Sequence, residues 1–131
     1  MTRRTKLLIA VALIGMAAIV AGGAYYRERD MSGDYLPPLP AWAEGLDGVI
    51  QSADKEFAAR VAARFPATAY ALQAEKELEA AGFSREVTTD GYVRYVRRDT
   101  KFPCVAERQI SWPENQDTVR GIRGHYTYIC P

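Results

Sequence analysis

The stretch CVAERQISWPENQDTVRGIRGHYTYICP, Cys104 to Pro131, holds both cysteines of the 131-residue chain. Two runs of β-forming residues, Cys104–Trp112 and Ile122–Cys130, flank Pro113-Glu114-Asn115-Gln116-Asp117, whose composition is that of a connection. Placing Cys104 opposite Cys130 in an antiparallel pair sets every other partner. Ala106 meets Tyr128, Arg108 meets Tyr126, Ile110 meets Gly124 and Trp112 meets Ile122. The other face couples Val105 with Ile129, Glu107 with Thr127, Gln109 with His125, and Ser111 with Arg123. One face is mostly apolar and aromatic, the other mostly polar. A register chosen only to close a disulfide has therefore sorted the side chains, as a sheet with one buried face requires. The connection is longer than a minimal turn and predicts a bulge at Gly121 or Gly124.

Upstream, Val87-Thr88-Thr89-Asp90-Gly91-Tyr92-Val93 sets Asp-Gly between β-formers and predicts strands near Arg85–Thr89 and Tyr92–Arg97 joined by a tight turn. Asp99-Thr100-Lys101-Phe102-Pro103 then reads as a loop. Before the strands the period changes to 3.6. Ile50, Ala53, Phe57, Val61 and Phe65 form one face of a helix over Val49–Arg64, with Asp47 as its cap and Pro66 as its stop. Thr68 is placed to cap a second helix, Ala69–Ala81, with Ala71, Leu72, Ala74 and Leu78 on its apolar side. Gly82 followed by Phe83 closes that helix: a left-handed glycine, then an apolar residue packing back on Leu78. The expected fold class is α+β in two layers, an N-terminal transmembrane helix followed by two helices on a three- or four-stranded antiparallel meander.

The N-terminus carries Arg3, Arg4 and Lys6 without an acid, then an uninterrupted apolar run from Leu7 to Ala24. Eighteen helical residues span roughly 27 Å, near the ~30 Å of a bilayer core, whereas the apolar region of a cleaved signal is usually about 7 to 15 residues. The run reads as a single-pass anchor with its N-terminus in the cytoplasm. Leu7, Leu8, Ile9, Ile14, Ile19 and Val20 lie in lipid and Tyr25 and Tyr26 at the far interface. Ala21-Gly22-Gly23-Ala24 is the small-residue alternative, a cleavage site that would release a secreted, soluble binding protein. Residues 27–47 include Leu36-Pro37-Pro38-Leu39-Pro40 and read as an extended stalk, which leaves 48–131 as the folded domain.

With the domain outside the cytoplasm, Cys104 and Cys130 are expected as a disulfide, which would stabilise a small domain by roughly 3 to 4 kcal/mol. The placement is periplasmic, on a bacterial inner membrane. Chemistry has little to work with. His125 is the sole histidine and falls on the polar strand face; no Asp/Glu cluster has metal-ligand spacing, and no glycine-rich loop precedes a helix. No cofactor, metal or catalytic residue is expected, and no basic stripe suits a nucleic acid. What stands out is a concentration of arginine and tyrosine, the residue types that dominate protein interfaces: Tyr92, Arg94, Tyr95, Arg97, Arg98 and Lys101, joined by Arg108, Tyr126 and Tyr128.

The element order, carried by FPATAYALQAEKELEAAGF (Phe65 to Phe83) and the final hairpin, resembles the small envelope domains typified by the SmpA/OmlA subunit of the outer-membrane barrel-assembly machinery. The resemblance implies a two-layer fold and no functional residue, because that subunit is a lipoprotein and this N-terminal segment has no lipid-accepting cysteine. The expectation for function is a membrane-anchored periplasmic interaction module, either an envelope-assembly accessory or an immunity-type inhibitor, binding a protein partner in the envelope without catalysing a reaction. A small hydrolase of envelope polymer is the alternative.

Overall fold

A computed structural model describes residues 36–46 and 49–131, and the folded unit runs from Pro37 to Pro131. The expected membrane helix, all eight residues named for it, the first part of the stalk and the Asp47 cap lie outside the described residues. Among the described residues no helix is long and apolar enough to cross a membrane. A single 3-10 turn, Ala41–Ala43, precedes α1 (Ile50–Arg64) and α2 (Ala71–Ala80). Four strands follow: β1 (Ser84–Glu86), β2 (Tyr92–Lys101), β3 (Cys104–Pro113) and β4 (Arg123–Ile129). They form one antiparallel sheet in the order β1-β2-β3-β4.

The β3–β4 ladder pairs Val105 with Ile129, Arg108 with Tyr126, Gln109 with His125 and Ser111 with Arg123, the register expected from the disulfide. Cys104 and Cys130 are bonded, with Cα atoms 4.3 Å apart, the separation of a non-hydrogen-bonded antiparallel pair. The ladder has no bulge, because its pairing runs without a break from Val105 to Ser111. The two glycines serve otherwise. Gly121, at φ +79, turns the chain into β4. Gly124 lets α1 lie directly on the sheet: a Cβ there would sit 2.7 Å from Val61 Cγ2 and 3.3 Å from Ala58 Cα.

Continued into β2, the register puts Val93 beside Trp112, Tyr95 beside Ile110 and Arg97 beside Arg108. Both helices cover this side. α1 contributes Ala53, Phe57 and Val61, with Phe65 at its end, while Ile50 is half exposed. α2 contributes Ala74 and Leu78. Leu72 is 65% exposed instead of packed, since it lies about 200° around the helix from Ala74. Rings fill the centre: Tyr95 stacks on Trp112 at 5.7 Å, and Phe57 meets Tyr126 edge-on at 6.5 Å.

Local signals hold where both partners are close in sequence. At the end of α2, Phe83 N–H donates to Leu78 O (2.9 Å) and Gly82 N–H to Glu79 O (3.0 Å), with Gly82 at φ +80: a complete Schellman motif. They fail where a distant segment intervenes. Neither Val49 nor Tyr70, the residues before α1 and α2, makes a side-chain cap, and Thr68 does not take that position. Ala71 N–H instead donates to Asp117 O (2.8 Å), and Val119 N–H to Ala69 O (3.0 Å), so the β3–β4 connection closes the start of α2. β1 stops at Glu86, and the connection to β2 is wider than a two-residue turn, held by Asp90 Oδ1 accepting from Tyr92 N–H (3.1 Å). The expected loop at 99–103 contracts: β2 runs to Lys101, paired with Cys104 across a two-residue hairpin with a cis Phe102–Pro103 peptide.

The largest departure is at residues 37–46. They form part of the domain, not a stalk, and the fold begins about ten residues earlier than the expected boundary at 48. Trp42 packs on Phe57 (6.3 Å), Phe65 (5.6 Å) and Phe83 (6.2 Å), and Ala43 and Leu46 are buried. Prolines that read as a spacer are here a strap laid across the helices; Pro37 lies so near Gly82 that a Cβ on Gly82 would be 2.9 Å from its Cδ.

Candidate functional site

The arginine and tyrosine residues expected on one binding face divide between the two sides of the sheet. Alternation along β2 sends Tyr95 and Arg97 toward the helices with Arg108 and Tyr126, and all four are core residues, exposed by 4% or less. Tyr128 shares that side and is half-buried. Tyr92, Arg94 and Arg98 point the opposite way, and Lys101 is exposed at the tip. Two separate constellations result.

The inner one is structural. Asp99 receives Arg97 through Nε (3.1 and 3.0 Å) and Nη2 (2.8 Å), and Arg108 Nη1 at 3.1 Å. Arg97 Nη1 also donates to Ala81 O at the end of α2 (2.6 Å), and Arg108 Nε to Ala43 O in the strap (3.1 Å). Arg108 lies over the Tyr126 ring at 5.3 Å. Burial pulls the Arg108 guanidinium below its ordinary value while Asp99 opposes that. One carboxylate thus holds two buried cations, each tied to a carbonyl of another segment. Arg60 adds bonds to the carbonyls of Trp42 and Glu44, so arginines hold the strap from two sides.

The outer constellation covers the sheet face away from the helices. Arg98 bridges Glu107 (2.6 Å) and Glu86 (3.1 Å), and Gln109 also donates to Glu107. Burial tends to raise the Glu107 carboxyl, but Gln109, Arg98 and the neighbouring His125 outweigh it and hold it below the usual range. Both carboxylates push the Arg98 guanidinium further toward its charged form. Arg94 pairs with Asp90 (2.8 Å), and Arg123 and His125 extend the face onto β4. The result is a polar surface whose side chains hold one another in place. Tyr92, Arg94 and Arg98 share it; Tyr95, Arg97, Arg108 and Tyr126 do not reach it.

His125 Nδ1 lies 2.9 Å from Asp54 Oδ1, an oxygen that also accepts the Tyr126 N–H (2.8 Å). Asp54 on α1 therefore closes the outer edge of β4, a role that nothing in its helical spacing announces. Asp99 was legible in principle, since carrying the disulfide register one strand further puts it on the same face as Arg97 and Arg108. A shallow depression lined by Tyr70, Leu72, Gln73, Lys76 and Asp117 lies at the start of α2. Among the described residues no group of three or more His, Cys, Asp or Glu side chains has metal-binding geometry.

No protein-family model, curated protein or solved structure matches this chain. The resemblance to SmpA/OmlA-like domains rests on element order alone, so the site is read from its own chemistry.

Proposed function

We propose that the chain is an interaction module held outside the cytoplasm by its N-terminal apolar segment, and that it engages an envelope protein through the outer face of the sheet without catalysing a reaction. The observation that carries this reading is the outer network: Glu86, Arg98, Glu107 and Gln109 are bonded across three adjacent strands, which presents ordered charge at little further entropic cost on binding. The Cys104–Cys130 disulfide supports an oxidising compartment, and the eighteen-residue apolar run supports the tether.

The test is a photo-reactive amino acid placed in living cells at Arg94 or Arg123 on the outer face, and at Lys76 on α2. The reading expects one discrete envelope adduct from the sheet positions and none from Lys76; adducts only from Lys76, or recovery of the protein in the cytosol, would overturn it. An accessory yields a resident envelope machine as the adduct, whereas an immunity-type inhibitor yields a tight one-to-one complex with a toxin. The hydrolase alternative has one observation in its favour, the His125–Asp54 contact, the geometry of an oriented general base. Loss of envelope-polymer cleavage in His125→Ala with the fold intact would favour it over the binding reading.

A further inference from the structure

Four large apolar side chains stand exposed at one end of the fold: Phe102 (94%), Val49 (69%), Ile129 (53%) and Ile50 (47%). The topology brings them there from three parts of the chain. Phe102 is at the β2–β3 hairpin tip, between the paired Lys101 and Cys104, and Cys104 is bonded to Cys130, which follows Ile129. α1 runs antiparallel to β4, since Val61 lies against Gly124 and Asp54 accepts the Tyr126 N–H. Val49 and Ile50, where that helix starts, therefore come level with Ile129. Half-buried Val105, paired with Ile129, continues the patch on the sheet. Val87, at the opposite end, is even more exposed but stands among Arg85, Glu86 and Glu114, the single surface residue that needs no partner.

We propose that this end of the domain rests on the phospholipid surface of the bilayer, with Phe102, Ile129, Val49 and Ile50 entering the boundary between headgroups and acyl chains. The proposal rests on the tether read above, and the length of that tether favours lipid as the occupant. Residues 25–36 join the apolar run to the folded unit and reach at most about 43 Å when fully extended. A domain of this size is about 30 Å across. The bilayer is thus always within little more than one domain width, so a small apolar contact is made at high effective concentration. Charge at the tip agrees with an anionic surface. Lys101 is exposed beside Phe102, and behind it the two arginines Arg97 and Arg108 share the single carboxylate of Asp99. Docked this way, the strands stand away from the membrane. Arg94 and Arg123, at the far end of the outer face, are then the part offered to an envelope protein.

The full chain is placed in nanodiscs of phosphatidylethanolamine and phosphatidylglycerol, and separately in living cells, with p-benzoylphenylalanine in place of Phe102 or, as the control, of Val87. The expected result on illumination is a phospholipid adduct, identified by its mass, about tenfold more abundant at position 102 than at 87. With the photo-reactive group in place of Ile129, Phe102→Ser should lower the lipid adduct about tenfold, the effect of withdrawing one apolar side chain from the contact. Phe102 is exposed, so this substitution leaves the core untouched. Equal lipid adducts at 102 and 87, no effect of Phe102→Ser, or adducts at 102 to a second copy or to another protein in place of lipid would each overturn the docking and leave the tether standing. A chain that does not enter the nanodisc overturns both.

Discussion

Asp99 is one carboxylate, four-fifths buried, between two arginines exposed by 4% and 2%. Removing it leaves two cations facing each other without compensation, where removing an exposed pair leaves both groups in water. Asp99→Asn is expected to cost about 3 kcal/mol or more in urea unfolding, and Glu56→Gln, in the exposed Glu56–Arg60 pair, under about 1 kcal/mol. Gly124 makes a second residue-scale case. Gly124→Ala should destabilise by about 1 to 3 kcal/mol because Val61 Cγ2 occupies the space of the new methyl, and Val61→Ala in the same chain should recover part of that loss in a double-mutant cycle. Tyr95 gives the pH signature. Burial first, then the carboxylates of Glu75 and Glu79 against the pull of Arg85, push its hydroxyl up to about 12. A raised value means the folded state prefers the protonated ring, so this contribution is whole below the unfolded value near 10 and is lost as pH rises toward 12. Ultraviolet titration should show a late-ionising component that is reduced in Tyr95→Phe.

At the scale of elements, β4 is held by three different means: the disulfide to β3, Asp54 at its outer edge and Gly124 under α1. Replacing both cysteines with serine is expected to cost roughly 3 kcal/mol, with amide exchange rising first in β4 and only later in β2 and β3, which keep each other. The helix ends show why some elements are readable and others are not. The Schellman close of α2 needs only residues 78 to 83, all adjacent in sequence. The start of α2 draws its hydrogen bonds from residues 117 to 119, nearly fifty positions away, which no local motif encodes. Thr68 had the chemistry of a cap, but the Ala71 N–H donates to Asp117 O in the distant strand connection instead.

The whole molecule depends on the strap. Its residues bury Ala43 and Leu46, pack Trp42 on three phenylalanines and satisfy Arg108 through Ala43 O. A chain beginning at residue 48 is expected to unfold or to aggregate, while one beginning at residue 37 should show a single cooperative urea transition; Trp42→Ala should lower its stability by about 2 kcal/mol or more. Circular dichroism of the two truncated chains decides this. If the shorter chain folds, the strap is an appendage.

What the amino-acid sequence determined by itself is everything set by period and by covalent constraint. The α+β order follows from the change of period along the chain, and the β3–β4 register from alternation along two strands whose cysteines must meet. Alternation along β2 puts Arg94 and Arg98, two and six residues from Tyr92, on one face, although the strand expected from the sequence ended at Arg97. Only the tertiary structure decided which arginines are buried, that prolines 37, 38 and 40 belong to the domain, and that β1 pairs with β2 only as far as Val96. The physical reason is common to all three. Alternation says that two faces exist but not which segment covers each, and burial depends on partners that lie tens of residues away in the chain.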